Sequence, residues 1–264
     1  VLNVEHDPGE PHQKSHHTRP SGEASQIADQ KFKDADFLHR IRSCDHILLD
    51  RGLMCGRFAL SIPVSDLPLP LQQHLSPEHR ERYAPRDRIA PGEPLLVLRR
   101  DERDTSAALM LWGLIPSWSK DPGGGPRPFN ARVETLDDKA MFRGAWRHRR
   151  CLIPASCFFE KGWRIRRVDH QPFWLAGLWE RWLGADGSEI DSVTILTTTP
   201  NALIRPLHPR MPVVIPAGLE DGWMAAVDGA GLRALQPLLG CWDPTGWIRD
   251  RPGDRDQLSL FQRP

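Results

Sequence analysis

The sequence predicts an α+β fold, with a mixed and mostly antiparallel β core flanked by short helices. Three observations carry that reading. Runs rich in β-branched and aromatic residues recur, among them CLIPASCFFE, PFWLAGLWE and SVTILTTT. The segments between such runs are irregular rather than regular crossover helices, which argues against a doubly wound sheet. A Pro-studded region after residue 61 and the loop SKDPGGGPRP leave room for short helices only.

Taken in order, the stretch from IPVSDL to APGEPL holds one short helix at most. PLLVLRR (94–100) and AALMLW (107–112) read as strands joined by the charged turn DERD. Residues 136–148 read as a helix, with Asp137 and Asp138 in its first turn and Met141, Ala145 and His148 on one face. After the three strand runs, Thr199-Pro200 has the chemistry of a helix start, a hydroxyl N-cap followed by Pro at N1, so NALIRPL is expected to be helical. RMPVVI reads as another strand, and GLEDGWMAAV and AGLRALQPLL as late amphipathic helices.

A length of 264 residues fits one domain with tails, and the formal charge of +1 does not by itself announce a nucleic-acid partner. The charge is uneven, however. Residues 1–53 carry 7 Lys/Arg against 9 Asp/Glu, while residues 55–264 carry 28 against 25, most of the cations being Arg. Arginine suits phosphate because its planar fork donates two hydrogen bonds at once. The five cysteines (Cys44, Cys55, Cys151, Cys157, Cys241) are odd in number and lack C-x-x-C spacing, so neither a disulfide framework nor a zinc ribbon is indicated. Cys151, Cys157 and Cys241 read as packing residues, no metal site or cofactor is expected, and a reducing cytoplasm is the natural compartment. No apolar run reaches membrane-spanning length, and the first thirty residues contain no signal-peptide core.

The first 53 residues are rich in His, Pro, Gly, Ser and charge, with little to bury, and read as a disordered leader. The first methionine is Met54, within GLMCGRF. A chain that opens on Val suggests a GTG start codon read literally, so we read Met54 as the physiological start. Removal of Met54 would make Cys55 residue one.

Seven stretches then occur in order: Cys55-Gly56-Arg57-Phe58; Ala90-Pro91-Gly92; Trp112-Gly113-Leu114-Ile115-Pro116 with Trp118; Asn130-Ala131-Arg132-Val133-Glu134-Thr135; Cys151-Leu152-Ile153-Pro154-Ala155 into Phe158-Phe159-Glu160; Ala176-Gly177-Leu178-Trp179-Glu180; and Thr197-Thr198-Thr199 through His208-Pro209-Arg210-Met211-Pro212. Together they resemble the SOS response-associated peptidase (SRAP) family of abasic-site processing proteins, over roughly residues 55–227. The resemblance implies one such domain over 55–243, and a mature N-terminal cysteine that forms a thiazolidine crosslink with an abasic site in single-stranded DNA. Carried onto this chain, Cys55 is the nucleophile, with Asn130, Glu160 and His208 as its companions. The chain departs from the family pattern at Lys161, where Trp is common after FFE, at Pro209, where Asp usually follows the His, and at Arg88, where Asn is usual before Ala-Pro-Gly.

The chemistry is consistent from below. An abasic site opens to an aldehyde. A terminal cysteine offers an α-amine, with a pKa of about 7.7–8.0, that condenses with the aldehyde, and a thiol that then closes a five-membered ring. Glu160 is expected to shuttle protons, His208 to protonate the sugar oxygen and assist β-elimination, and Asn130 to hold the amine or a phosphate. Arg57, Arg132 and Arg210 are candidate phosphate contacts, the alternative for Arg57 and Arg132 being a pairing with Glu134 or another carboxylate. Trp112 and Trp118 are candidates for stacking on bases, the alternative being core.

Residues 244–264 read as a flexible tail ending near Gln257-Leu258-Ser259-Leu260-Phe261, which resembles the pentapeptide by which bacterial proteins dock on the β sliding clamp. Docking there would keep the protein at replication forks. Two other readings stay open at this level: a cysteine peptidase acting on its own leader or on other peptides, and a non-covalent single-strand binding module.

Overall fold

A computed structural model describes residues 56–101, 104–225 and 229–252. Thirteen strands occur among the described residues: β1 (Phe58–Leu60), β2 (Arg86–Ile89), β3 (Pro94–Asp101), β4 (Asp104–Trp112), β5 (Asn130–Arg132), β6 (Arg150–Ala155), β7 (Cys157–Glu160), β8 (Trp163–Arg167), β9 (Phe173–Leu183), β10 (Glu189–Thr198), β11 (Met211–Pro212), β12 (Val214–Ile215) and β13 (Trp247–Asp250). The α-helices are short: α1 (Leu69–His74), α2 (Pro77–Arg82), α3 (Ala140–His148), α4 (Glu220–Met224) and α5 (Gly229–Ala234). The architecture is α+β and sheet-dominated, as the sequence predicts.

Strands β10, β4, β3, β6 and β9 pair in that order, and β9 pairs back onto β10, so the larger sheet closes into a barrel-like ring. Each pairing in the ring is antiparallel except β10 with β4. Closure explains the nearly unbroken apolar run of β9, whose residues 173–180 are all buried. It also explains Gly177. A Cβ there would lie 2.9 Å from Cys151 Sγ and 2.9 Å from Ile153 Cδ1, so only glycine lets β6 approach β9 this closely.

The second sheet has the order β13-β8-β7-β1-β2, with antiparallel neighbours throughout. CLIPASCFFE, which reads as a single strand run, supplies one strand to each sheet. Ser156 stands between β6 and β7. Its N–H donates to Ala59 O (2.8 Å), its hydroxyl donates to the same oxygen (3.1 Å), and Ser61 N–H donates to Ser156 Oγ (3.1 Å). The chain therefore changes sheets at the point where β1 is held.

Several elements differ from expectation. The Pro-rich region forms two helices, α1 and α2, each with Pro in its first turn, where the missing N–H costs nothing. The helix expected over 136–148 starts at Ala140, after a 3-10 turn at Val133–Thr135, and buries Phe142, Ala145 and Trp146, while His148 is exposed. NALIRPL is a series of turns, not a helix. Its cap is Asn201, whose Oδ1 accepts the N–H groups of Leu203 (3.1 Å) and Ile204 (3.2 Å). Residues 244–250, expected in a flexible tail, are structured: β13 pairs β8 from Trp247↔Arg167 to Asp250↔Arg164. Cys151 and Cys157 are buried as expected, and burial pushes the Cys157 thiol up to about 11, but Cys241 is exposed.

Arg150 is 2% exposed and has no carboxylate within ion-pair distance among the described residues. It donates to Trp146 O (2.5 Å) and Arg147 O (3.1 Å) at the end of α3, and to Trp223 O (2.8 Å) and Ala225 O at the end of α4. Two helix C-termini, each with orphan carbonyls and the negative end of its dipole, thus converge on one cation. Burial brings its pKa down to about 10. We expect Arg150→Ala to cost on the order of 3 kcal/mol in urea unfolding, because it leaves several buried carbonyls unsatisfied. Arg150→Lys should recover little of this, since one ammonium cannot reach both helix ends. A loss below about 1 kcal/mol would contradict the account.

Candidate functional site

The site is built from the leading end of β1. Phe58 lies opposite Phe158 and Ala59 opposite Cys157, and Phe159 N–H donates to Arg57 O at 3.0 Å. The register therefore runs on past the strand, and Gly56 falls opposite Glu160. Glu160 is 4% exposed and shares the inward face of β7 with buried Phe158. The chain turns immediately after it through Lys161 (φ 47°) and Gly162 (φ 79°), a two-residue loop of positive φ that matches the twist of a tight hairpin, and returns with Trp163 opposite Glu160. Cys55 lies outside the described residues.

Asn130 comes to the site through a ladder of rings. The Phe58 and Trp112 centroids are 5.3 Å apart and those of Trp112 and Phe129 are 6.1 Å apart, both pairs edge-on. The Trp112 indole N–H donates to Phe129 O at 2.8 Å. Trp112 thus ties β1 to the residue just before Asn130. With 1% of its surface exposed, it is a core residue and does not offer a face to a base, which corrects the stacking role expected of it.

The loop 113–129 is closed at its neck by Gly113 N–H to Val193 O (2.9 Å) and Leu114 N–H to Pro128 O (3.1 Å). Gly113 has φ 139°, a backbone form that suits glycine. The loop carries Trp118 outward at 67% exposure, the arrangement a stacking residue needs.

Strand β10 gathers the remaining groups. Asn130, half-buried, lies opposite Ile195; Arg132, exposed, opposite Thr197; and Met211 opposite Thr198. Three residues before Met211, His208 is 8% exposed, and its Nδ1 accepts the Arg210 N–H at 3.1 Å. The same Nδ1 lies 3.3 Å from the Arg210 carbonyl oxygen, so both main-chain groups of Arg210 hold the ring.

Arg210 does not stand free for phosphate. Its side chain is 12% exposed, its guanidinium forks onto Glu134 at 2.6 and 2.8 Å, and it also donates to Thr197 O. The partner of Glu134 is therefore Arg210, rather than Arg57 or Arg132. Arg57 and Arg132 are both exposed. Asn130, Arg132, Glu134, His208 and Arg210 thus share the end of β10, and Glu160 belongs to the other sheet and connects to them through Phe58, Trp112 and Phe129. Sequence reading missed Trp163 and Thr197. The alternation in WRIRR was a strand signal that could have flagged the first.

Among the described residues, no three His, Cys, Asp or Glu side chains are grouped to hold a metal ion.

This fold and site define a class: an α+β protein of two sheets in which the leading end of β1 lies opposite a buried carboxylate, with a histidine and an asparagine held near the end of β10 in the other sheet. Residues 54–244 match the family model for SOS response associated peptidase (SRAP), and the chain belongs to that family. It is 36% identical over 222 residues to the abasic site processing protein YoqW of Bacillus subtilis, covering 79% of this chain and 92% of YoqW. It is 29% identical over 191 residues to the abasic site processing protein YedK of Escherichia coli, covering 65% and 79%. A protein from Bacteroides thetaiotaomicron shares the fold with a TM-score of 0.65 at 20% identity, over 80% of this chain and 100% of that one.

The Arg210 hydrogen bonds hold the Glu134 carboxyl below the usual range, outweighing the rise from its partial burial. Stability from this pair is therefore full above the ordinary carboxylate range and is lost as pH falls through the lowered value. Carboxyl NMR titration should place Glu134 below an ordinary glutamate, and Arg210→Ala should return it to the ordinary range. An ordinary midpoint in the unmodified protein would contradict the pairing.

Proposed function

We propose that the protein processes abasic sites in single-stranded DNA in the DNA damage response, by forming a thiazolidine crosslink through Cys55 as its mature N-terminal residue. The observation that carries this reading is the register of β1 on β7, which sets Gly56, the residue that follows Cys55, opposite buried Glu160. The names of the relatives, abasic site processing proteins, support the same reading.

The steps balance. The Cys55 amine adds to the sugar aldehyde carbon, water leaves to give an imine, and the thiol sulfur adds to the same carbon as its proton passes to nitrogen. Glu160 takes the proton released by the attacking amine and returns it to the departing hydroxyl. His208 donates a proton to the sugar oxygen as the ring opens, and Asn130 orients the amine or a phosphate. Loss of the C2′ proton from the imine, with departure of the 3′ phosphate, is the lyase branch. Arg57 and Arg132 contact phosphates and Trp118 stacks on a base, without regard to sequence.

With abasic single-stranded oligonucleotide, protein beginning at Cys55 should give a band stable to heat and SDS. Cys55→Ser should abolish it, and Glu160→Gln should slow its formation by about a hundredfold or more. A salt-sensitive shift that SDS removes would leave only non-covalent binding and would overturn the crosslink.

The family description names a peptidase, which favours a second reading in which the chain cleaves its own leader before Cys55. That cleavage would expose the same amine, so the two readings merge. Intact mass of the native protein separates removal of Met54 from cleavage of a longer leader.

Gln257, Leu258, Leu260 and Phe261 lie outside the described residues. We assign them to docking on the bacterial β sliding clamp, which would place the protein in the cytoplasm at replication forks. Among the described residues no helix is long and apolar enough to cross a membrane. Pull-down by the clamp should be lost when Leu260 and Phe261 are both changed to Ala; unchanged capture would reject the assignment.

A further inference from the structure

The second sheet carries a cationic row that the proposed chemistry does not use. Glu160 faces Trp163 across the β7–β8 hairpin, and on the far side of β8 the pairing Asp250↔Arg164 places Arg251 next in register, opposite Trp163. The Arg251 guanidinium carbon lies 4.9 Å from the Trp163 ring centroid and that of Arg249 lies 5.4 Å from it. Arg249 also donates to Leu203 O at 3.1 Å, which ties it to the turns that lead into His208. Neighbouring strands sit about 5 Å apart, so this row starts at Glu160 and ends about 10 Å from it.

The carboxylate that stands between the two arginines in sequence does not neutralise them. Asp250, between the two arginines in sequence, points to the opposite face, where it accepts from Arg164 (2.7 Å) and Arg166 (2.7 and 3.0 Å). Burial alone would raise the Asp250 carboxyl, but the bonds from Arg164 and Arg166 outweigh it and hold it below its usual range. Neither Arg249 nor Arg251 forms an ion pair among the described residues. Both stand on β13 or just past it, beyond residue 244 where the family match ends.

We propose that Arg249 and Arg251, held against the Trp163 indole, form a clamp for the phosphodiester backbone of the DNA strand that passes Glu160. The clamp rests on the reading of this site as a DNA-processing centre. The ring fixes each planar fork in advance, so less side-chain freedom is lost when it grips a phosphate. Trp163 acts here as a positioning residue, and Arg249 and Arg251 bind.

The test uses an undamaged single-stranded oligonucleotide, which has no aldehyde, and measures affinity by fluorescence anisotropy from low to moderate salt. Each phosphate contact on a single strand contributes about 0.7 to the slope of log K against log salt. Arg251→Gln should lower the slope by about 0.7 and the double change with Arg249→Gln by about 1.4, whereas Arg251→Lys, which keeps the charge, should keep the slope. An unaltered slope in the double variant, or no binding by the unmodified protein, overturns the clamp. Slopes that fall as expected while abasic DNA gives no SDS-stable band would sustain the clamp and reject the crosslink; a band with unaltered slopes would do the reverse.

Discussion

The geometry of the candidate site depends on where the backbone of β1 is held. The carbonyl of Ala59 accepts two hydrogen bonds from Ser156, and the carbonyl of Arg57 accepts one from Phe159. A slip of one residue in that pairing would send each side chain of β1 to the opposite face and move Gly56 out of register with Glu160. The apolar side chains guard against the slip. Phe58 is fully buried against Trp112, and Leu60 is 4% exposed, so any other register would bring core residues into water.

The barrel supplies the rigidity that this placement needs. Closure of five strands removes free edges, and the fully buried Trp112, Trp146, Trp179 and Trp223 fill the space inside and under the helices. Trp112 shows how core and site are coupled. Its ring packs on the strand that follows Cys55, while its N–H holds the carbonyl just before Asn130. A buried residue thereby couples the leading strand to the segment that carries Asn130. Arg210 works in a related way: by forking onto Glu134 and bonding Thr197 O, it fixes the segment whose backbone holds the His208 ring.

Much of the fold was legible in the sequence because strands advertise themselves through β-branched and aromatic runs. PFWLAGLWE and SVTILTTT are β9 and β10, and PLLVLRR and AALMLW are β3 and β4. What sequence hid were decisions made by tertiary contacts. Nothing local in CLIPASCFFE marks Ser156 as the residue where the chain leaves one sheet for another; Ala59, nearly a hundred residues away, decides it. Thr199-Pro200 had a helix-start signature, but Asn201 captured the backbone N–H groups first. WIRD carried too few apolar residues to stand out, and became a strand because Arg164 and Arg166 anchor Asp250. At the site, motif spacing pointed to Asn130, Glu160 and His208, but burial, which alone distinguishes Trp112 from Trp118 and Arg210 from Arg132, cannot be read from a motif.

The central claim is that nitrogen and sulfur of one terminal residue act together on the damaged sugar. The most direct measurement compares two proteins, one beginning at Cys55 and one with a single alanine ahead of it, by intact mass after incubation with an abasic oligonucleotide. The thiol is present in both, but in the second the amine sits one residue further out, where no five-membered ring can close. The account predicts a stable adduct, formed with loss of one water, for the first protein and none for the second; equal yields from both would contradict it.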